Sequence, residues 1–365
     1  MKILNKTYWL HLLDIVLKKP QAKHGLIPYT PSGLDEIHYK GKDTVLGNAK
    51  TILNPTKDWR LYLPLGEEQA RGNTETMSCV SHSACNAIEI IVLLLNTLDE
   101  MGQANEEQKG IVQVFKHFGI LRQVDGVWRA NSSDRYVAKM SGTGYNGNTL
   151  KAVADAIRHY GLIPDEKWSF VEGWNNYYSE VPLNLQNAGI KLSDYIDFNY
   201  EWASNTILLD SLQYAPTQNS VFAWNGTRDG VYYRVENPLN HAITRVAFLN
   251  DNIYIFDSYQ NDGNYEKRTA KNFKFGYDLI YTLHLKKKLD AFNQEAISGL
   301  LARGFKFVMR TDKANGGKGE IYELKDGQLV ELTLTDKLNE MVKNLTEQKD
   351  LTGISEELYL RLNNL

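Results

Sequence analysis

Ser78-Cys79-Val80-Ser81-His82-Ser83-Ala84-Cys85-Asn86-Ala87-Ile88-Glu89, running on into the apolar stretch Ile90 to Leu95, decides the fold. On a helical projection its apolar residues fall almost all round, which predicts a central buried helix rather than a surface helix with one apolar stripe. Ser78 is a suitable N-cap and places Cys79 in the first turn, with the helix ending near Gly102. Unpaired N–H groups and the macrodipole favour a thiolate in that first turn. Cys85 lies two turns deeper and reads as a small buried hydrophobe. The two cysteines are the only ones in the chain. Their separation along a helix, about 9 Å, exceeds the roughly 7 Å between Cα atoms that a disulfide tolerates. They are therefore expected to stay unpaired, in a reducing or redox-indifferent setting.

Outward from this helix, residues 26–65 are rich in Gly, Pro, Asp and Tyr and read as an extended lead-in wrapping a core. Ahead of it, residues 6–18 predict an amphipathic helix stopped by Pro20, not a secretory signal peptide. Downstream, Asn105 to Phe118 predicts a helix closed by Gly119, and Val124-Asp125-Gly126-Val127 a hairpin turn. A Gly-rich loop, Ser141 to Asn148, leads into a helix over Thr149 to Tyr160 that Gly161 stops. Beyond about Asn205 a short helix (207–213) precedes strand-like runs at 220–224, 241–248, 252–259 and 277–285. Helices first and strands second predict an α+β protein with its site between the two halves. The stretch 288–365 reads as an appendage, with a hairpin around Lys325-Asp326-Gly327-Gln328 and a helix from Thr335.

The 365 residues are 42% hydrophobic and 23% charged, as in a soluble globular chain that needs no disulfide or metal staple. A net charge of −3 argues against a partner held mainly by phosphate neutralisation, so no nucleic-acid partner is expected. The longest unbroken apolar run, Ile90 to Leu95, is far short of the roughly 20 residues of a membrane helix, so no membrane partner is expected either. The loop at Gly142 to Gly147 lacks the Lys-Ser/Thr of a phosphate loop. No Cys-x-x-Cys or His-x-x-x-His spacing is present, so no metal or other cofactor is expected.

A reactive Cys79 needs a base. His241 opens the strand His241 to Phe248, a turn follows near Leu249 to Asn252, and the chain returns through Ile253 to Tyr259. Equal arms about that turn would bring His241 and Asp257 together at the open end of one hairpin. A carboxylate there fixes the imidazole tautomer and supports the imidazolium. His82, three residues after Cys79, is the alternative base.

These pieces resemble the papain-like cysteine peptidases. The resemblance rests on Ser78-Cys79 with Ser83, the Gly-rich loop before a helix ending Tyr160-Gly161-Leu162-Ile163-Pro164, Asn240-His241-Ala242, and Phe256-Asp257-Ser258-Tyr259. All four stand in the family's order and span about residues 60–286. The spacings from Cys79 are somewhat longer than the roughly 130–150 residues of papain and cathepsins, as insertions would make them. The resemblance implies a two-lobe α+β fold: a helical lobe with a central nucleophile helix, packed on an antiparallel β-barrel-like lobe. It implies a domain organisation of an N-terminal extension (1–60), a catalytic domain (61–287) and a C-terminal appendage (288–365).

On the same resemblance, Cys79 is the nucleophile, His241 the base, and Asp257 stands where the family has Asn. Gly147 and Asn148 belong to the substrate-binding loop. Gln69, or Asn73 nearer in sequence, supplies the side-chain amide of the oxyanion hole; Gln69 has the longer reach and is preferred. Departures from the family are Val80 and His82 after the nucleophile, Tyr259 for a tryptophan, and Asn148 for a glycine. No inhibitory pro-segment is recognisable ahead of Cys79. These features look most like the divergent bacterial and phage-encoded relatives, which would be cytoplasmic or virion-associated. The implied function is hydrolysis of a peptide or protein substrate through an acyl-enzyme. A cell-wall peptide amidase with the same triad, or a non-catalytic phage structural or binding protein, are the alternatives, with 288–365 suited to docking a partner.

Overall fold

The computed structural model describes residues 25–31, 38–39, 51–203, 208–222, 227–233, 239–261, 264–270, 273 and 275–286, together with four strands further on. The helices expected over 6–18 and from Thr335 lie outside these residues. The chain divides into two compact units, Met1–Lys287 and Lys288–Leu365.

Helix α1 (Cys79–Glu100) is the axis of the first unit, and every residue from Cys79 to Asn96 is buried. It is the one described helix long and apolar enough to cross a membrane, and its apolar stretch lies wholly inside the protein. Around it are α2 (Glu106–His117), α3 (Asp134–Met140), α4 (Leu150–Tyr160), α5 (Trp174–Tyr177), α6 (Leu183–Tyr195) and α7 (Leu208–Ser211). Local chemistry sets their ends. Asn105 and Gln108 form a reciprocal capping box on α2. The Thr149 hydroxyl accepts from Ala152 N–H at 3.1 Å on α4, and Gly161, at φ +65°, ends that helix.

The strands are β1 (His38–Tyr39), β2 (Ala70–Arg71), β3 (Thr74–Glu75), β4 (Leu121–Val124), β5 (Val127–Ala130), β6 (Ile196–Ala203), β7 (Thr217–Val221), β8 (Thr227–Arg228), β9 (Val231–Tyr232), β10 (His241–Leu249), β11 (Asn252–Asn261), β12 (Asn264–Ala270) and β13 (Phe275–Leu285). Nine of them form one sheet in the order β1-β6-β13-β7-β10-β11-β12-β9-β8. The order is open, so the second half is α+β as expected but not a closed barrel. The sheet also begins earlier than the expected boundary near Asn205. Strand β6 alternates Ile196, Phe198, Tyr200 and Trp202, all buried, and pairs with β13. In the second unit, β14 (Phe307–Arg310), β15 (Glu320–Lys325), β16 (Gln328–Leu332) and β17 (Leu351–Ile354) form a sheet in the order β16-β15-β14-β17.

The β10–β11 hairpin corrects the equal-arm expectation. Leu249 pairs with Asn252 across Asn250 and Asp251, both at positive φ, as a two-residue turn requires. A bulge between Arg245 and Ala247 then sets Thr244 opposite Phe256. His241 therefore lies level with Tyr259, and Asp257 is its diagonal neighbour, still within reach of a long side chain.

A buried acidic cluster flanks α1. Glu89 accepts from the Ser132 N–H at 2.7 Å and the Ser132 hydroxyl at 2.6 Å. Asp134 meets His82 Nε2 at 3.3 Å and hydrogen-bonds with Cys85 and Glu67. Burial pushes Glu67 and Asp134 up to about 7 each. A carboxyl raised in the folded state holds a proton that the unfolded chain releases, so its stabilisation is present in acid and is lost as pH rises towards 7. The Asp134→Asn variant should accordingly gain on the wild type by about 1–2 kcal/mol between pH 5 and pH 8. Denaturant unfolding at the two pH values measures this, and a difference that does not change with pH would contradict it.

Candidate active site

The nucleophile candidate is set by the entry into α1. Met77 takes the left-handed conformation at φ +56°, turning the chain sharply two residues before the helix begins at Cys79. Ser78 is the residue before the helix, but its hydroxyl does not cap it. That hydroxyl meets Thr76 Oγ1 at 2.5 Å and His82 Nδ1 at 3.2 Å. Cys79 is 0% exposed. Burial pushes its thiol well above the ordinary value, against the pull of the Ala242 and Val80 N–H groups, while the charges of Asp257 and Glu75 add to the rise. The helix terminus alone predicts a lowered thiol; in this closed arrangement burial outweighs it.

The Ala242 N–H puts the Cys79 sulfur beside the first residues of β10, where His241 stands. His241 Nε2 and Asp257 Oδ1 lie 2.6 Å apart, both residues 1% exposed. Nε2 is thus committed to the carboxylate. Asp257 carries a second partner that no motif announced: Lys267 Nζ, on β12, is 2.8 Å from Oδ2 and also donates to the Tyr259 carbonyl. Burial would raise the Asp257 carboxyl, but the charges of His241 and Lys267 and their hydrogen bonds hold it well below the usual range. Tyr259 lies against the imidazole, with ring centroids 5.4 Å apart.

Gln69 is fully buried beside this group, but its amide has other work. Nε2 donates to Glu75 Oε1 and to Tyr259 OH, each at 2.7 Å, and Oε1 accepts from the Ser258 hydroxyl at 2.7 Å. To act as an oxyanion donor it would have to surrender one of these bonds, so its expected role does not fit the observed contacts. Asn73 is exposed, in the turn between β2 and β3. Glu75 is the unanticipated tie: it also accepts from Met77 N–H at 2.9 Å and from Tyr259 OH at 2.5 Å.

The opposite wall is the Gly-rich loop. Asn148 knits it together by donating from Nδ2 to the Ser141 carbonyl and hydroxyl, each at 3.0 Å, and to Thr143 Oγ1 at 3.2 Å. Its main chain remains available and is used. Asn148 N–H donates to the Gly25 carbonyl at 2.9 Å, and Ile27 N–H donates to the Asn148 carbonyl at 2.8 Å. From the other side Leu26 N–H donates to the carbonyl of Asn240, the residue before His241, at 3.2 Å. Residues 25–27 thus bridge the two walls as an extended strap, with Leu26 only 2% exposed. Both glycines at the crossing are needed for closeness. A Cβ on Gly25 would run into the Met77 backbone, and one on Gly147 into the Gly25 carbonyl. Residues 25–27, which carry no motif of their own, thus link the Gly-rich loop to the residue before His241.

The remaining candidates fall away on geometry. His82 has Nδ1 at 3.0 Å from the Ser78 carbonyl and Nε2 at 3.3 Å from Asp134, so both ring nitrogens are engaged away from Cys79. Burial also lowers its pKa, which keeps the ring neutral. Cys85 is 1% exposed and unpaired with Cys79, and burial raises its thiol well above the ordinary value. Among the described residues no group of His, Cys, Asp and Glu has the arrangement of a metal site.

The sequence matches no family model and no curated protein. Among solved structures, the chain is similar to digestive procathepsin L 3 of Tenebrio molitor larval midgut (TM-score 0.41, 13% identity, 75% of this chain and 78% of that one). It is also similar to a Carica candamarcensis cysteine protease (TM-score 0.39, 14% identity, 62% and 96%). A third similarity is to the cysteine protease and lectin-like domains of a surface-layer-associated protein of Clostridium difficile (TM-score 0.43, 13% identity, 88% and 65%).

Because Glu75 satisfies Gln69, Met77 and Tyr259 together, Glu75→Ala should cost about 1–3 kcal/mol of stability, the penalty for buried polar groups left unpaired. Asn73→Ala should leave stability within about 0.5 kcal/mol of wild type. Equal effects in denaturant unfolding would contradict this reading of the wall.

Proposed function

We propose that the chain is a cysteine peptidase of the papain-like kind, held latent by its own residues 25–27. The observation that carries this reading is the strap: an extended peptide, buried at Leu26, is hydrogen-bonded through its main chain both to the Gly-rich loop at Asn148 and to Asn240, the residue before His241. A cleft that grips backbone in this way suits a peptide substrate. It also supports the family resemblance where that was weakest, since Asn148 pairs through its N–H and carbonyl despite not being glycine.

With the strap displaced, water reaches Cys79 and the burial that keeps its thiol neutral is relieved. His241 Nδ1 then takes the thiol proton, and the thiolate attacks the scissile carbonyl. The oxyanion is met by the Cys79 N–H at the N-terminus of α1, where the helix leaves donors unpaired. His241 passes the proton to the leaving amine, then activates water to release the acyl group. Asp257 holds the imidazole by Nε2 throughout. The sheet of Lys288–Leu365 contributes none of these groups, and we assign it to docking a partner or substrate protein.

The test is hydrolysis of fluorescein-labelled casein by the full chain. Leu26→Asp, which puts a charge into the buried anchor of the strap, should raise the rate at least about tenfold. In that background Cys79→Ala should abolish it, and His241→Ala should reduce it by about 10²–10⁴-fold. An activity that ignores Leu26→Asp would refute latency. One that survives Cys79→Ala would refute the peptidase reading.

A further inference from the structure

Lys267 is a buried cation that the peptidase reading does not itself require. It sits on β12, 5% exposed, with Nζ 2.8 Å from Asp257 Oδ2 and hydrogen-bonded to the Tyr259 carbonyl. The Tyr232 ring lies 5.7 Å away. Taking an ammonium out of water is costly, and for stability alone an apolar side chain of similar volume often serves as well. The geometry ties Lys267 to the one carboxylate oxygen that His241 leaves open.

We propose that Lys267 is a positioning residue of the thiol chemistry: it cancels the charge of Asp257, so that Cys79 and His241 work beside a neutral Asp–Lys pair rather than a bare carboxylate. This rests on the peptidase reading and adds to it. A thiolate–imidazolium pair is already neutral. An uncompensated Asp257 would leave the buried site with a net negative charge, disfavouring the thiolate while favouring the imidazolium. A neutral Asn at this position, as the papain-like peptidases have, needs no cation; Asp257 with Lys267 reaches the same net charge by two residues. The ionisable groups facing the pair are His241 from β10, Cys79 from α1, Tyr259 from β11, Tyr232 from β9 and Glu75 from β3. Of these, none but His241 shares a carboxylate oxygen of Asp257 with a short side-chain contact, so Lys267, at 2.8 Å from Oδ2, is the cation that meets Asp257 directly.

The sign of the effect follows. Removing the Lys267 charge makes the thiol harder to ionise and the imidazolium harder to deprotonate, so both limbs of a thiol reactivity profile move to higher pH. Removing the Asp257 charge while keeping Lys267 moves them to lower pH. Removing both brings them back. Residues that merely held the fold would change the amplitude of the profile without the two substitutions shifting it in opposite directions.

The experiment is the pH dependence of Cys79 alkylation by iodoacetamide in the full chain carrying Leu26→Asp and Cys85→Ser. Lys267→Met should shift both limbs upward by about half a pH unit or more, roughly a threefold loss of rate on the acid limb. Asp257→Asn should shift them downward, and Asp257→Asn with Lys267→Met should fall between the two, near the parent. A His241-dependent profile that Lys267→Met leaves in place, or a double variant outside the two singles, overturns the proposal alone. A parent profile that His241→Ala does not alter overturns the peptidase reading, and the proposal with it.

Discussion

Three side chains of the sheet hold the first turns of α1, and through them the distance between a cysteine on a helix and a histidine on a strand. Gln218 Nε2 donates to the Val80 carbonyl at 2.7 Å and to the Ser83 hydroxyl at 2.9 Å. Tyr281 OH fixes that glutamine by donating to its Oε1 at 2.7 Å, and Thr244 Oγ1 donates to the Ser83 carbonyl at 2.9 Å. His241 stands on the same strand as Thr244, one turn of pleat away. A helix buried on every side can slide on apolar contacts alone, whereas hydrogen bonds inside a core have one satisfying arrangement. The Cys79–β10 junction therefore inherits its geometry from polar ties set beneath it, and Asp257, Lys267, Glu75 and the strap are arranged around that junction.

Electrostatics and solvation act on the site in opposite senses. Burial raises the Cys79 thiol, while the Ala242 and Val80 N–H groups pull it the other way. Burial alone would raise the Asp257 carboxyl, but His241 and Lys267, one on each oxygen, hold it well below the usual range.

Much of this was legible in the sequence. The apolar run from Ile90 to Leu95 betrayed a buried helix, and the turn chemistry of Asp125-Gly126 and the helix stop at Gly161 act locally, where sequence speaks most directly. The pairing of His241 with Asp257 was anticipated for an incomplete reason: the two do meet, but diagonally, because the turn is Asn250-Asp251 and a bulge near Val246 absorbs one residue. Strand β6 was missed although Ile196, Phe198, Tyr200 and Trp202 alternate cleanly, because it follows α6 directly and interrupts the order of helices then strands. Lys267 and Glu75 left no signal, since a charged residue on an inward strand position looks like any exposed one until the sheet is assembled. Residues 25–27 are silent for a related reason: a strap held by main-chain bonds needs only small size at Gly25 and one apolar anchor at Leu26. Gln69 shows the limit of assigning a role by side-chain reach, as its amide is taken by Glu75, Tyr259 and Ser258, neighbours that the sequence does not reveal.

The central claim is that Cys79 forms a covalent acyl intermediate in a cleft its own chain otherwise fills. The most direct measurement is acid quenching of the Leu26→Asp chain during turnover of a peptide ester, followed by intact-mass and peptide-mapping analysis. The account predicts a single acyl group on Cys79, accumulating before the steady state and absent from Cys79→Ala. Turnover with no adduct, or with the acyl group on another residue, would contradict it.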